Sequence, residues 1–229
     1  MQTSEKTNRM GRPLTPRLSR KVIGREAMAL FVEEGALSIP RLAERLGVRQ
    51  SSFYKHVSGR QEIIELARGH LVDLVPAPTP TPHDLSTTVR NMFEALRSAY
   101  AQVPALLPEL LAQPVTNTAA LKLYDGLAKA LGEAKCPPHL ILPTIEAIDS
   151  AAIGASMDAL SMEHAWKIQD KDRPNLPHLS TAQRAAATFH VDRYAFLADV
   201  LSAGLQAATG ATVQEPEQPQ QQRTDRNST

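Results

Sequence analysis

Residues 38 to 57 constrain the fold of this chain more than any other stretch. Ser38 opens a run with Ile39, Leu42, Ala43 and Leu46 at helical spacing, and Gly47 closes it. Only Val48 and Arg49 intervene before a second run of about two turns, Gln50 to His56. A helix stopped by a left-handed glycine and followed within two residues by another helix must turn sharply into a tight pair. Leu42, Ala43, Leu46, Val48, Phe53 and Val57 are the apolar positions that would fix the second helix against the first. A longer helix precedes the pair, with Ser19 as N-cap, Ile23, Ala27, Leu30 and Phe31 on one face, and Gly35 at its end. A fourth follows. Ser58 and Gln61 read as its capping box, and Ile63, Ile64, Ala67, Leu71 and Leu74 as its inward face. The arrangement is a helix-turn-helix.

This packing leaves Arg49, Gln50, Ser51, Ser52, Tyr54 and Lys55 facing mostly outward. A short, polar and cationic helix face is the kind that reads base edges and grips phosphates in a major groove. Small helical bundles also contain glycine-turned pairs, so spacing alone leaves a purely structural pair open. Charge adds weight to the first reading. Residues 1–60 carry 12 Lys/Arg against 5 Asp/Glu, whereas residues 61–229 carry 13 against 19. A basic end on an acidic body fits a polyanion partner, although a merely solvated basic tail has the same composition.

Ala (32 residues) and Leu (27) dominate while aromatics make up 4%, which favours helix over strand and predicts an all-α chain. Five segments follow. Residues 1–18 form a flexible basic arm, in which Arg12 either enters a minor groove or is an ordinary solvated charge. Residues 19–75 form the helix-turn-helix domain, and 76–83 a proline-rich connector that cannot be helical. Residues 84–210 form a larger helical body, and 211–229 a disordered Gln/Pro-rich tail. In the body the periodicity predicts helices over Asp84–Tyr100 and Thr118–Glu133, with a short segment from Ala105 to Ala112 between them. A long helix from Pro137-Pro138 to about Ala165 is apolar nearly all round and rich in small residues. A polar loop (Lys167 to Pro177) and one last long helix from Thr181 to about Ala208 complete it.

Other function classes find little support. Uninterrupted apolar runs fall short of the ~18–20 residues of a membrane span, and the polar start, Met1 to Met10, has no leader-like apolar core. Cys136 is the single cysteine, which allows no internal disulfide and matches a cytoplasmic chain. There is no glycine-rich phosphate loop, paired-histidine metal spacing or nucleophile elbow. His139, His164, His178 and His190 are scattered, and Cys136 has only Lys135 as a charged neighbour. The expectation is a non-enzyme without metal or cofactor.

The stretch from Leu37 to Ile64 carries Leu42-Ala43, Leu46-Gly47-Val48, Phe53-Tyr54-Lys55-His56 and the opening of the fourth helix. In these motifs it resembles the N-terminal domain of the TetR family of transcriptional regulators. The likeness is dense over residues 19–75 and rests beyond them on length and helicity. It implies that Gln50, Ser51 and Tyr54 face bases and that Ser52, Lys55, His56 and Arg60 lie near phosphates, with Arg41 also within reach of the backbone. His56 and Tyr54 are open to a packing role as well. Pro40 stands where tetracycline-responsive members carry a base-reading arginine, so the operator should differ from theirs.

The resemblance further implies a homodimer joined through the two long C-terminal helices, and a small-molecule cavity among the preceding ones. From the residues alone, the all-round apolar helix could equally be a monomer's central helix. Bulk and position on the body helices single out Phe93, Leu96, Tyr100, Leu111, Tyr124, Ile148, Met157 and Trp166 as cavity candidates, each open to a plain core role. Val89 and Glu109 stand where tetracycline-responsive members have an Asn ligand and a magnesium-holding His, so a largely apolar effector is expected instead. The function implied is an operator-binding repressor released by a small molecule. The alternative is a DNA-binding protein whose body docks another protein.

Overall fold

A computed structural model describes residues 18–77, 81–158 and 167–210, and among them it contains helices and no strand. The first helix, α1 (Arg20–Glu34), starts where Ser19 accepts the Val22 N–H, and ends at Gly35 with φ 70°. It lies along α4 (Arg60–Val72), burying Ile23, Ala27, Leu30 and Phe31. Gly24 makes this approach possible, since a Cβ there would stand 2.7 Å from the Leu66 carbonyl oxygen. Between these two run α2 (Ile39–Arg45) and α3 (Gln50–Phe53).

The body begins with α5 (Leu85–Tyr100), capped by Asp84, whose carboxylate accepts the Thr87 N–H at 2.9 Å. A 3-10 turn (Pro104–Leu106) leads into the short α6 (Leu107–Leu111), and Asn117 caps α7 (Thr118–Glu133). Then come α8 (Pro138–Asp158), a 3-10 segment (Asp170–Asn175), α9 (Pro177–Phe189) and α10 (Arg193–Gly210). α5 packs on α8 and α10, and α7 packs on α8 and α4. One continuous apolar core therefore runs from Ile23 through α4 and α5 to Ala198.

Four local expectations need correction. α3 is one turn rather than two, because His56 bonds back three residues to the Phe53 carbonyl and tightens the exit. α4 starts after Gly59, so the acid at its third position is Glu62, which bonds the Ser58 N–H and hydroxyl in place of Gln61. α4 ends at Val72, before Pro76, in three-residue bonds that rotate Leu74 off the inward stripe and leave it exposed. The last long helix is two helices. His190 is left-handed (φ 50°), and Asp192 caps α10 by accepting the Tyr194 and Ala195 N–H groups.

α8 was expected to need cover on all sides. Within one chain it buries Ile145, Ile148, Ala152 and Ala155 but exposes Leu142, Glu146, Ala147, Ser150, Gly154 and Met157 along one side. By length and composition alone α8 could cross a membrane, yet it packs against α5 and α7. The basic arm with Arg12, part of the proline-rich connector, Trp166 and the Gln-rich tail lie outside the described residues.

Candidate nucleic-acid interface and effector cavity

The turn between α2 and α3 is built from the backbone. The Gly47 N–H bonds the Glu44 carbonyl, the Val48 N–H bonds the Ala43 carbonyl, both at 3.0 Å, and Gly47 has φ 64°. This paired closure satisfies the carbonyls that end α2 and brings Val48 back against its last turn. Phe53 and Val57 then anchor α3 in the core, at 1% and 4% exposure. The opposite side carries Arg49, Gln50, Ser51, Tyr54 and Lys55, all exposed, with Ser52 and His56 half-buried. Tyr54 is 64% exposed although it adjoins the fully packed Phe53.

The cations around this face differ in their commitments. Among the described residues Arg49 and Lys55 have no carboxylate within 4 Å, which leaves both charges available to a ligand. Arg41 is held by Glu34 and Glu44, whose hydrogen bonds push its guanidinium pKa up. Arg60 donates to the Leu37 carbonyl and pairs with Glu109 of α6 at 2.5 Å. It stands at the seam between α4 and the body, committed to a carboxylate, rather than free beside Lys55. Glu109 has this arginine as its partner. Among the described residues no group of His, Cys, Asp and Glu could hold a metal ion.

The seam contains a buried hub that the sequence reading missed. Glu65 and Arg68, one turn apart on α4 and each 8% exposed, pair at 2.6 Å. The second Glu65 oxygen accepts the N–H groups of Thr116 and Asn117 at 2.8 Å, and Arg68 donates to the Leu110 carbonyl. Burial works against the Glu65 charge, but the bonds from Thr116, Arg68 and Gln113 outweigh it and hold the carboxyl at about 2. Gly69 lets the α7 cap close on α4, since a Cβ there would meet Asn117 Nδ2 at 2.8 Å. A charged i, i+3 pair on a helix ordinarily signals a solvated face, so nothing in the local pattern marks this one as buried.

Between α7 and α8 lies an open cavity of about 500 Å³. Tyr124, Ala128, Ile141 and Ile145 form apolar walls, Leu121 and Leu142 flank the mouth, and Asp125, Glu146 and Asp149 supply its charges. The Tyr100 hydroxyl donates to Asp149 at 2.5 Å. Burial raises the Asp149 pKa above the ordinary carboxylate value and pushes Tyr124 up to about 12. Tyr124 also borders a second, very small void beside Arg68 and Leu71 of α4, so one ring touches both the cavity and the seam.

Of the residues singled out from sequence, Tyr124 lines the cavity and Tyr100 reaches it through Asp149. Phe93, Leu96 and Ile148 are fully buried core residues that do not line it. Leu111 is 62% exposed at the end of α6, and Met157 is exposed on the outer side of α8. Bulk alone, the property that marks both in sequence, does not report direction. Asp149, Glu146 and Asp125 went unnoticed, although an acid inside the apolar run of α8 was a readable signal.

No family model matches the chain. The HTH-type transcriptional repressor DrrR1 of Streptomyces coeruleorubidus is 28% identical over 138 residues, covering 56% of this chain and 48% of that protein. The chain thus spans about half the length of that curated relative. Among solved structures, apo ActR from Streptomyces coelicolor superposes with a TM-score of 0.70 at 21% identity, covering 84% of this chain and 97% of that one. The TetR family protein ActR in complex with actinorhodin gives 0.71 at 19% identity, covering 86% and 99%. A TetR variant from Acinetobacter baumannii in complex with minocycline gives 0.63 at 17% identity, covering 88% and 100%. At these identities the structural likeness is one of fold.

Proposed function

We propose, on the premise that this chain has the all-α fold of the TetR-family regulators, that it is a transcriptional repressor of that family. It binds a palindromic operator as a homodimer in the cytoplasm and is released by a small molecule. The observation that carries the reading is the α3 face, where exposed Gln50, Ser51 and Tyr54 lie between the uncommitted cations Arg49 and Lys55. In this reading Gln50, Ser51 and Tyr54 meet base edges, while Arg49, Ser52, Lys55 and His56 hold phosphates. Arg41 and Arg60 join them only by exchanging Glu34, Glu44 and Glu109 for phosphate. Residues 19–75 act as the DNA-binding unit and residues 84–210 as the effector and dimerisation unit.

Dimerisation is supported by α8 and α10. α10 exposes Phe196, Val200, Ala203 and Ala207 at i, i+4, i+7 and i+11, beside the exposed small residues of α8. An apolar stripe on two neighbouring helices is covered when the same stripe of a second copy packs on it. Two recognition helices would then stand about 34–36 Å apart, one turn of DNA.

The cavity favours a small, largely apolar effector over a docked protein. Its volume lies within the usual range for such ligands, and its walls are mostly aliphatic. Release follows if the effector binds tighter to a conformation whose half-site spacing is wrong. Tyr124 is placed to transmit this, because it borders both the cavity and the small void beside α4. Selection of the purified protein on a randomised DNA pool tests the proposal. Enrichment of an inverted repeat with one-turn spacing is the expected result. Retention that is only non-specific and salt-sensitive would refute it.

A further inference from the structure

The walls of the cavity between α7 and α8 are aliphatic, yet every charged group lining it is a carboxylate: Asp125 and Glu146 at the mouth and Asp149 at depth. Among the described residues no Lys or Arg pairs with any of the three. Lys129 of α7 pairs with Glu133 and does not line the cavity, and Arg68 is committed to Glu65 and the Leu110 carbonyl. Asp149 therefore takes its direct hydrogen bond from the Tyr100 phenol, and the Arg68 guanidinium acts on it only at a distance. A buried carboxylate without a cation is normally costly to keep ionised.

Resting on the effector-cavity reading above, we propose that this cavity takes a lipophilic organic cation, with its apolar body on Ile141, Ile145 and Ala128 and its charge toward Asp149. Three considerations fix the class. A positive ligand pairs with a carboxylate that no Lys or Arg among the described residues contacts directly, while an anion meets three like charges. Tyr124 adds an aromatic ring to the wall, which favours a soft organic cation further. A metal ion is disfavoured because the described acids do not converge into a ligand group.

Tetraphenylphosphonium and tetraphenylborate have nearly the same shape and opposite charge, so calorimetric titration of the full chain with each isolates the charge preference. The expected result is cation binding at least tenfold tighter than anion binding. Asp149→Asn keeps size and hydrogen bonding, and should remove most of that preference without tightening the cation. Circular dichroism confirms that the variant is folded, and Asp125→Asn at the exposed α7 side of the mouth, away from the α8 face assigned to the dimer, should lose about threefold. Equal affinity for the two ions, cation binding untouched by both variants, or no binding of either ion would overturn the inference. Operator binding by the same preparations separates the two levels. A protein that holds its selected operator but shows no cation preference refutes only the ligand class. Absence of any selectable operator refutes the regulator reading while the calorimetry still reports on the cavity.

Discussion

Glu65 is the side chain whose loss should be felt furthest. It accepts hydrogen bonds from Arg68, Gln113, Thr116 and Asn117 and so ties α4 to the start of α7. Glu65→Ala leaves the Arg68 charge buried without its partner, at a cost of about 3–5 kcal/mol, read as a lower midpoint in denaturant. Replacing both residues by apolar ones of similar volume should recover most of that loss. The pH dependence has a definite sign. The folded carboxyl titrates at about 2, below its ordinary 4.5, so its contribution is complete above 4.5 and fades as pH falls from 4.5 toward 2. Glu65→Gln should flatten that acid limb. On the α3 face two further substitutions should separate reading from gripping. Gln50→Ala should cost about 1–3 kcal/mol on the selected operator and relax preference at one base pair. Lys55→Ala should weaken all sequences alike and reduce the salt slope by about 1. The residues legible in sequence are those set by neighbours along the chain: the Ser19 cap, the Gly35 and Gly47 stops, and the alternation that buries Phe53 and exposes Tyr54. Glu65 takes its role from partners about 50 residues away, and no local pattern encodes those.

Among the elements, α1, α5 and α7 lie where the apolar spacing places them, and Ser19, Asp84 and Asn117 cap their starts. The reading failed at the end of α9. His190 ends α9 in a left-handed conformation that its residue type does not advertise, so two helices read as one, although Asp192 is an ordinary cap for the second. α8 misled differently. Apolarity all round says that a helix is covered, but not whether its own chain or a second copy covers it. That question can be tested on α10, where Val200 is 50% exposed in the single chain. Val200→Glu should leave helicity and the thermal midpoint of the monomer intact, yet shift sedimentation from dimer to monomer and abolish tight operator binding. A variant that stays dimeric would move the interface elsewhere.

In the whole molecule one core joins three parts: a cationic α3 face, the seam where Arg60 meets Glu109 and Glu65 meets Thr116, and an acidic cavity bordered by Tyr124. The charge asymmetry along the chain fits this division, with the basic end toward DNA and the acidic body toward a ligand. The central claim is geometric: two copies present α3 to successive major grooves at a fixed separation. It is tested most directly by inserting half a helical turn, about 5 base pairs, between the half-sites of the selected operator and measuring affinity at constant salt. A fall to the non-specific level, about 10³-fold or more, is expected. Affinity unchanged by the insertion would mean that each chain binds its half-site alone, and would contradict the account.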